Sequence, residues 1–320
     1  MQTLDVIKNQ NILISPLDWG FGHTTRCVPI IKLLLKNENT IIFAGNNAQI
    51  NFIKIEFPQI KTEYIEGYNI QLSSKKSTYT QLAKQGKSIL NAIKNEINWV
   101  NNYIKTQTID LIISDNRYGF RHKNIDSIFM AHQLNLCLPY LKTIVNSKLA
   151  KYINQFSCCW IYDDQNINLA GKLSQPKKIK IPYIYIGLHT RFFDKKISNI
   201  YDYLIVVSGP NPENIDFLNA LEQKIKNSTL KIGIVSTVKS VNNFESIDYY
   251  YNPTTNKLNS LINASKCIVS RSGYTTLMDL FLRNKGAILI PTKGQYEQEY
   301  LGNYVKCSHF KFVSMSNLKF

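Results

Sequence analysis

The chain has 320 residues, 44% of them hydrophobic and 12% aromatic, and a formal charge of +16. That length exceeds one comfortable core and predicts two domains, while the composition excludes a disordered or fibrous chain. No run of 18 apolar residues occurs and the first ten residues lack a signal-peptide core, so a cytoplasmic protein without a membrane span is expected.

The charge admits nucleic acid, an anionic membrane surface or acidic substrates as partners. Against a specific role stands a chain rich in Lys, Asn and Ile throughout, with six Arg among its 38 basic residues, as an AT-rich genome would give. Clusters such as Lys75-Lys76, Lys177-Lys178 and Lys195-Lys196 then read as solvated faces. The six cysteines form no C-x-x-C pair and most sit beside apolar residues, which suits buried free thiols. The five histidines are scattered, so no metal site is expected.

In chain order, residues 11–15 form an apolar strand that runs into the loop Pro16 to Arg26, with Gly20 and Gly22 just before His23. A helix follows, with Val28, Ile31, Leu34 and Leu35 as its stripe, and then a strand over 40–44. This β-α-β opening lacks the third glycine of a dinucleotide fingerprint, and Gly45-Asn46-Asn47 supplies no acid after the second strand, so a nicotinamide cofactor is not expected. His23, at the mouth of the first helix, reads either as a general base in a cleft or as a capping or packing residue.

Apolar residues from Leu82 to Ile104 predict a long covering helix over about 79–104. The strand over 109–115 ends in Asp115, Asn116 and Arg117, on the sheet edge that carries His23. Asp115 reads as a second base, as a carboxylate orienting one, or as a turn cap. Strands over 127–131 and 158–162 repeat the plan, ending at His132-Gln133 and Asp163-Asp164, and the last pair lacks the Asp-x-Asp spacing of metal-dependent sugar-nucleotide enzymes. After a strand over 181–187 comes a basic, polar seam, which places the domains at 1–187 and 188–320.

The second half restarts the alternation with a strand over 203–207, the loop 208–213, and a helix bearing Ile215, Leu218, Leu221 and Ile225. Further strands are read at 231–235 and 249–251, with a helix through Leu258, Leu261 and Ile262. Then Ile268-Val269 leads to the turn Ser272-Gly273 and a helix with Leu277, Leu280 and Phe281, followed by a strand at 286–291 and the polar segment 295–299. A turn of this kind presents free backbone N–H groups and the positive end of a helix dipole at the carboxyl edge of a parallel sheet, where α/β proteins bind anions.

With these pieces in order, the chain resembles the two-domain GT-B glycosyltransferases, especially glycosyltransferase family 28, the family of the lipid II-forming N-acetylglucosaminyltransferase. The Pro16–Arg26 segment is similar to the opening of a bacterial subgroup of these enzymes, and the resemblance is most specific at 270–279 and 295–299. It implies an α/β fold of two Rossmann-like domains facing across a cleft, with the acceptor on the N-terminal domain and a nucleotide sugar, UDP-linked, on the C-terminal one. By matching motif positions, Ser272 and Gly273 face the diphosphate with Ser208 and Gly209 near it, Asp279 accepts from the ribose hydroxyls, and Gln298 and Glu299 contact the sugar. Ser270, Arg271, Tyr274, Thr275 and Gln295 complete the donor side, and the base stacks near 251–255. His23 and Asp115 are the catalytic candidates, with Gly20, Gly22, Asn116 and Arg117 on the acceptor side.

The expected reaction is an inverting, metal-independent transfer of a hexose or N-acetylhexosamine to a hydroxyl of a glycan or lipid-linked acceptor, in cell-envelope synthesis, with no cofactor. The positive charge then suits a peripheral position on an anionic membrane. Two departures bear on the substrates: the ribose position carries Asp279 where the lipid II enzyme has Glu, and the 208 loop reads Ser-Gly-Pro in place of Gly-Gly-Ser. The rivals are an epimerase or hydrolase of nucleotide sugars with the same fold, and a basic nucleic-acid-binding protein. The chain shows no aromatic-basic recognition motif to support the last.

Overall fold

The structure is a computed structural model that describes residues 3–70, 84–210, 212–240, 242, 244 and 246–320. It divides into two compact units, residues 3–70 with 84–189, and residues 190–320.

The first unit is built on β1 (Asn11–Pro16), β2 (Thr40–Gly45), β3 (Lys61–Tyr64), β4 (Leu111–Asp115), β5 (Asp126–Ala131), β6 (Cys158–Ile161) and β7 (Tyr183–Tyr185). They form one parallel sheet in the order β3-β2-β1-β4-β5-β6-β7. Its helices are α1 (Phe21–Lys36), α2 (Asn47–Glu56), α3 (Gly86–Tyr103) and α4 (Lys142–Ile153). The central strands are apolar on both faces because helices cover both, and Ile12, Leu13, Ile14, Leu111, Ile112 and Ile113 are fully buried. Leu13, Ile42, Val100, Ile109 and Ile112 make one core cluster, to which α3 contributes Val100.

The second unit has β8 (Tyr201–Val207), β9 (Ile232–Ser236), β10 (Ile247–Tyr251), β11 (Ser265–Arg271), β12 (Ala287–Ile290) and β13 (Phe310–Phe312). These are also parallel, in the order β10-β9-β8-β11-β12-β13. Its helices are α5 (Glu213–Ile225), α6 (Thr255–Asn263), α7 (Tyr274–Leu282) and α8 (Tyr296–Tyr304). The stripe Phe217, Leu218, Leu221 and Ile225 of α5 packs on Ile205, Ile232, Ile234 and Val269.

In each sheet the chain runs outward from a central strand and then returns to that strand's other side. The order therefore reverses between β1 and β4 in one unit and between β8 and β11 in the other. Loops leave such a point in opposite directions and open a crevice at the carboxyl ends of the strands, which is where open α/β sheets place ligands. The Pro16–Gly22 segment and Asp115 stand at the first reversal; Ser208, Gly209, Ser272 and Gly273 stand at the second.

Some elements differ from the sequence reading. Strands β3 and β13 are edge strands of four and three residues. The Lys-Thr-Glu-Tyr of β3 carries no apolar alternation because an edge strand needs few buried contacts. The long helix is described from Gly86 to Tyr103; the expected portion from 79 to 83, with Leu82, and the Lys75-Lys76 pair lie outside the described residues. Among the described residues no helix is long and apolar enough to cross a membrane.

Candidate functional site

The site in the first unit grows from the turn between β1 and α1. Gly20 caps α1 with φ 75° and, being glycine, supplies no side-chain cap. His23 lies in that first turn with its side chain 14% exposed, and its Nδ1 stands 3.3 Å from Oδ2 of the fully buried Asp115 at the end of β4. Three residues that the sequence reading gave no role in a site, Arg26, His132 and Cys27, complete the cluster. Arg26, one turn after His23, donates to Asp115 through Nε at 2.8 Å and also through Nη2. Its Nη2 lies 2.9 Å from His23 Nδ1, and its Nη1 lies 2.5 Å from Nδ1 of His132 just beyond β5. Cys27 Sγ adds a weak donor to Asp115 at 3.8 Å.

The electrostatics follow from this packing. Burial by itself would raise the Asp115 pKa, but the Arg26 guanidinium, helped by His23, overrides it and holds the carboxyl at about 2. Burial and the neighbouring guanidinium both push His23 below the usual imidazole value, against the pull of Asp115, so the ring is neutral near pH 7. The spacing of His23 and Arg26, one helical turn apart, was the available signal for the missing partner.

Asn116 follows at φ 64°, a conformation that Asn tolerates better than most residues, and its buried Oδ1 has no hydrogen-bond partner. Gly20 lies in the turn and Gly22 in the first turn of α1, and a Cβ built on Gly20 would meet nothing within 4 Å. Arg117, expected on the acceptor side, is instead fully buried. Its Nε donates to Glu96 of α3 at 2.7 Å and its Nη2 to the Glu66 carbonyl at 2.6 Å. Glu96 also accepts from Tyr68 Oη at 3.0 Å and from the Gly119 N–H at 2.8 Å. Gly119 has to be glycine, since a Cβ there would stand 2.2 Å from the Ile93 carbonyl oxygen. Arg117 therefore pins the loop after β4 onto α3, and the Asp115 side chain alone faces the cluster.

In the second unit the motif residues divide between scaffold and open edge. Ser270 is buried and donates to the Val206 carbonyl at 3.0 Å, tying β11 to β8. Ser272 donates to the Gln298 carbonyl at 3.3 Å, and Tyr274 is buried. Gln295 caps α8 by accepting from the Gln298 N–H at 2.7 Å. The Gln298 Oε1 accepts from the Thr292 N–H at 2.9 Å, and Glu299 Oε1 from the Gly294 N–H at 2.8 Å, so both side chains shape the turn after β12. Gly273 and Thr275 are partly exposed. Gly273 caps α7 without any side-chain hydrogen bond, the first turn holds no acid, and a Cβ there would meet nothing within 4 Å. Ser208 and Gly209 are exposed, but α5 behind them carries Glu213 and Asp216 in its first turn, which oppose a phosphate. The α7 terminus is the better anion site of the two.

Asp279 is buried in α7 and its Oδ1 accepts from Thr190 Oγ1 at 2.5 Å. Burial lifts its pKa to about 6, with Arg191, Thr190 and Arg283 restraining the rise. A cavity of about 660 Å³ opens beside Glu213, Asp216, Phe217, Arg271, Lys293 and Glu299. Arg271 stacks 3.9 Å above the Phe217 ring centre. Burial brings its pKa down to about 10 in spite of Glu213 and Asp216. Three carboxylates against two cations make this cavity a poor place for a bare anion and a good one for a hydroxyl-rich group. Among the described residues no group of three or more His, Cys, Asp or Glu side chains could hold a metal ion.

Comparison with known proteins agrees with this architecture. Residues 211–309 match the glycosyltransferase family 28 C-terminal domain. No curated protein matches the sequence. Among solved structures, the glycotransferase of kitacinnamycin superposes with a TM-score of 0.66 at 9% identity, covering 97% of this chain and 88% of that one. The calicheamicin glycosyltransferase CalG4 gives 0.61 at 9% identity, over 97% and 87%. Phytolacca americana UGT2, solved with UDP-2fluoro-glucose and pterostilbene, gives 0.59 at 10% identity, over 92% and 83%. The chain thus has the fold of the GT-B glycosyltransferases, and its C-terminal unit resembles glycosyltransferase family 28.

Proposed function

We propose that this protein transfers a hexose or N-acetylhexosamine from a UDP-sugar to an acceptor hydroxyl, with inversion at the anomeric carbon. The observation that carries this reading is the family 28 match over residues 211–309, which spans the acid-free start of α7. In this reading the diphosphate rests on the N–H groups after Gly273, the ribose hydroxyls donate to Asp279, and the sugar lies toward Gln298 and Glu299. On the acceptor half, His23 takes the hydroxyl proton at Nε2 while the oxygen attacks the anomeric carbon. The bond to the diphosphate breaks on the opposite side, and the departing charge is met by the α7 terminus. The unpaired Asn116 Oδ1 suits a second hydroxyl of the acceptor.

The acceptor belongs to a cell-envelope glycan or glycolipid, reached at an anionic bilayer. Tyr140, Leu141 and Ile144 are exposed beside Lys142 and Lys148, and no carboxylate occurs between Asp126 and Asp163. Flotation with vesicles containing anionic lipid is expected to carry the protein upward, with neutral vesicles leaving it behind. Equal behaviour with both would remove the membrane from the proposal.

The direct test of the function is a thermal-shift screen across UDP-, GDP- and dTDP-sugars. UDP-sugars are expected to stabilise the protein, and no response to any nucleotide sugar would end the reading. Release of free sugar or formation of a new sugar without acceptor would favour a hydrolase or epimerase.

Asp279→Asn sharpens the test because its two effects run in opposite directions. The folded carboxyl titrates near 6 and the unfolded one near 4, so between those values the native state keeps a proton the unfolded chain has lost. Stability therefore falls as pH rises from about 4 to 6 and stays lower above. The amide removes that cost, so the variant should be more stable at pH 8 by on the order of 2 kcal/mol and equal to the parent at pH 4. Its UDP-sugar affinity should nevertheless drop, since one acceptor oxygen for the ribose is gone. Unfolding curves at both pH values and a donor titration read the two effects, and unchanged donor affinity would remove Asp279 from the donor site.

A further inference from the structure

The Nδ1 atom of His23 has two suitors that exclude each other. It lies 3.3 Å from Asp115 Oδ2, to which it can only donate, and 2.9 Å from Arg26 Nη2, from which it can only accept. The guanidinium has no acceptor and does not give up its proton in a protein. It spans three partners at once: Asp115 through Nε and Nη2, His23 through Nη2, and His132 through Nη1 at 2.5 Å. Asp115 is already well supplied, since Arg26 donates twice and Cys27 Sγ adds a third contact. The shorter contact of His23 Nδ1 is the one to Arg26.

We propose that Arg26 is a positioning residue that selects the tautomer of His23, holding it with the proton on Nε2 until the guanidinium releases Nδ1. This rests on the reading of His23 as the base. In the held state the Nε2 edge offers an N–H, which can bind the acceptor oxygen but cannot take its proton. The base-competent ring carries its proton on Nδ1, donates it to Asp115, and presents the Nε2 lone pair. Passing from one to the other moves one proton from Nε2 to solvent and one from solvent to Nδ1, so the ring stays neutral. Asp115 stays ionised throughout, because Arg26 Nε remains on it. Release of Nη2 from Nδ1 is thus the event that arms the site.

The groups facing His23 come from several elements: Arg26 from α1, Asp115 from β4, and His132 from the end of β5, with Cys27 of α1 behind Asp115. Tyr162, just past β6, secures the α1 backbone by donating to the Arg26 carbonyl at 3.0 Å.

The test is two-bond proton–nitrogen NMR on the full chain labelled at histidine, with the rings assigned through His23→Gln and His132→Gln. At pH 8 the parent protein should show both His23 and His132 protonated at Nε2. In Arg26→Gln, His23 should move its proton to Nδ1, and its titration midpoint should rise by about one pH unit or more as the neighbouring cation is lost. Arg26→Lys, which keeps a charge beside Asp115 but cannot span all three partners, should free Nδ1 of at least one histidine if the Gln variant does not fold. A parent spectrum with the His23 proton on Nδ1 would overturn the proposal, as would an Arg26→Gln spectrum identical to the parent. Turnover is read separately: a fully active His23→Ala would sink the base assignment while leaving the tautomer result standing.

Discussion

Replacing His23 with Ala is expected to lower kcat by about 10²–10⁴-fold at saturating UDP-sugar, the usual contribution of a positioned general base. Stability should change little. The side chain is partly exposed in the first turn of α1, and Ala favours a helix. Arg26 and Asp115 still neutralise each other in the variant, so no buried charge is stranded. Donor-induced stabilisation should persist, because the residues proposed to hold the donor belong to the other unit. Single-turnover kinetics with donor titration would separate the two effects. A kcat within a factor of three of the parent would show that another group takes the proton. In the parent the acid limb of the rate profile should lie below the ordinary imidazole range, since burial and Arg26 depress the His23 pKa.

The second large effect is structural. Arg117→Met should cost about 3–5 kcal/mol of unfolding free energy, the typical result of removing one partner of a buried ion pair. Glu96 is 2% exposed and would keep only the Tyr68 hydroxyl and the Gly119 N–H. Burial already raises the Glu96 pKa, with Arg117 the main restraint on that rise. Without Arg117 the carboxyl titrates higher still. The folded form then holds a proton that the unfolded chain loses above about 4.5, so the deficit grows as pH rises through that window. Urea unfolding at pH 5 and pH 8 should show the larger loss at pH 8, and Arg117→Met with Glu96→Gln should recover much of it. A loss below about 1 kcal/mol at pH 8 would mean that the pair does not hold the loop.

The alternating architecture was legible because each buried strand of a parallel sheet is a short apolar run and each covering helix keeps an apolar stripe. The runs at 11–15 and 109–115 gave β1 and β4, and with them the meeting of His23 and Asp115, since parallel strands deliver their polar ends to one edge. Strand β3 left no comparable pattern, since Lys-Thr-Glu-Tyr holds no apolar run, and the three residues of β13 are too few to show one. Gln298 and Glu299 were read as sugar contacts, and what each is seen to do is carry a backbone N–H of the turn after β12, which motif matching does not reveal.

By itself the sequence determined two β/α sheets, the glycine turns at their reversal points, and the His23 and Asp115 side chains at one edge. All of these follow from local periodicity and from turn chemistry close in the chain. Tertiary structure alone decided what surrounds them: that Arg26 reaches both Asp115 and two imidazoles, that Asn116 keeps an unpaired oxygen, and that Arg117 points into α3 instead of toward a ligand. The reason is geometric. Residues 115, 116 and 117 are neighbours in the chain and equally polar, but the positive φ at Asn116 turns the backbone between them and sends Asp115 and Arg117 to different partners.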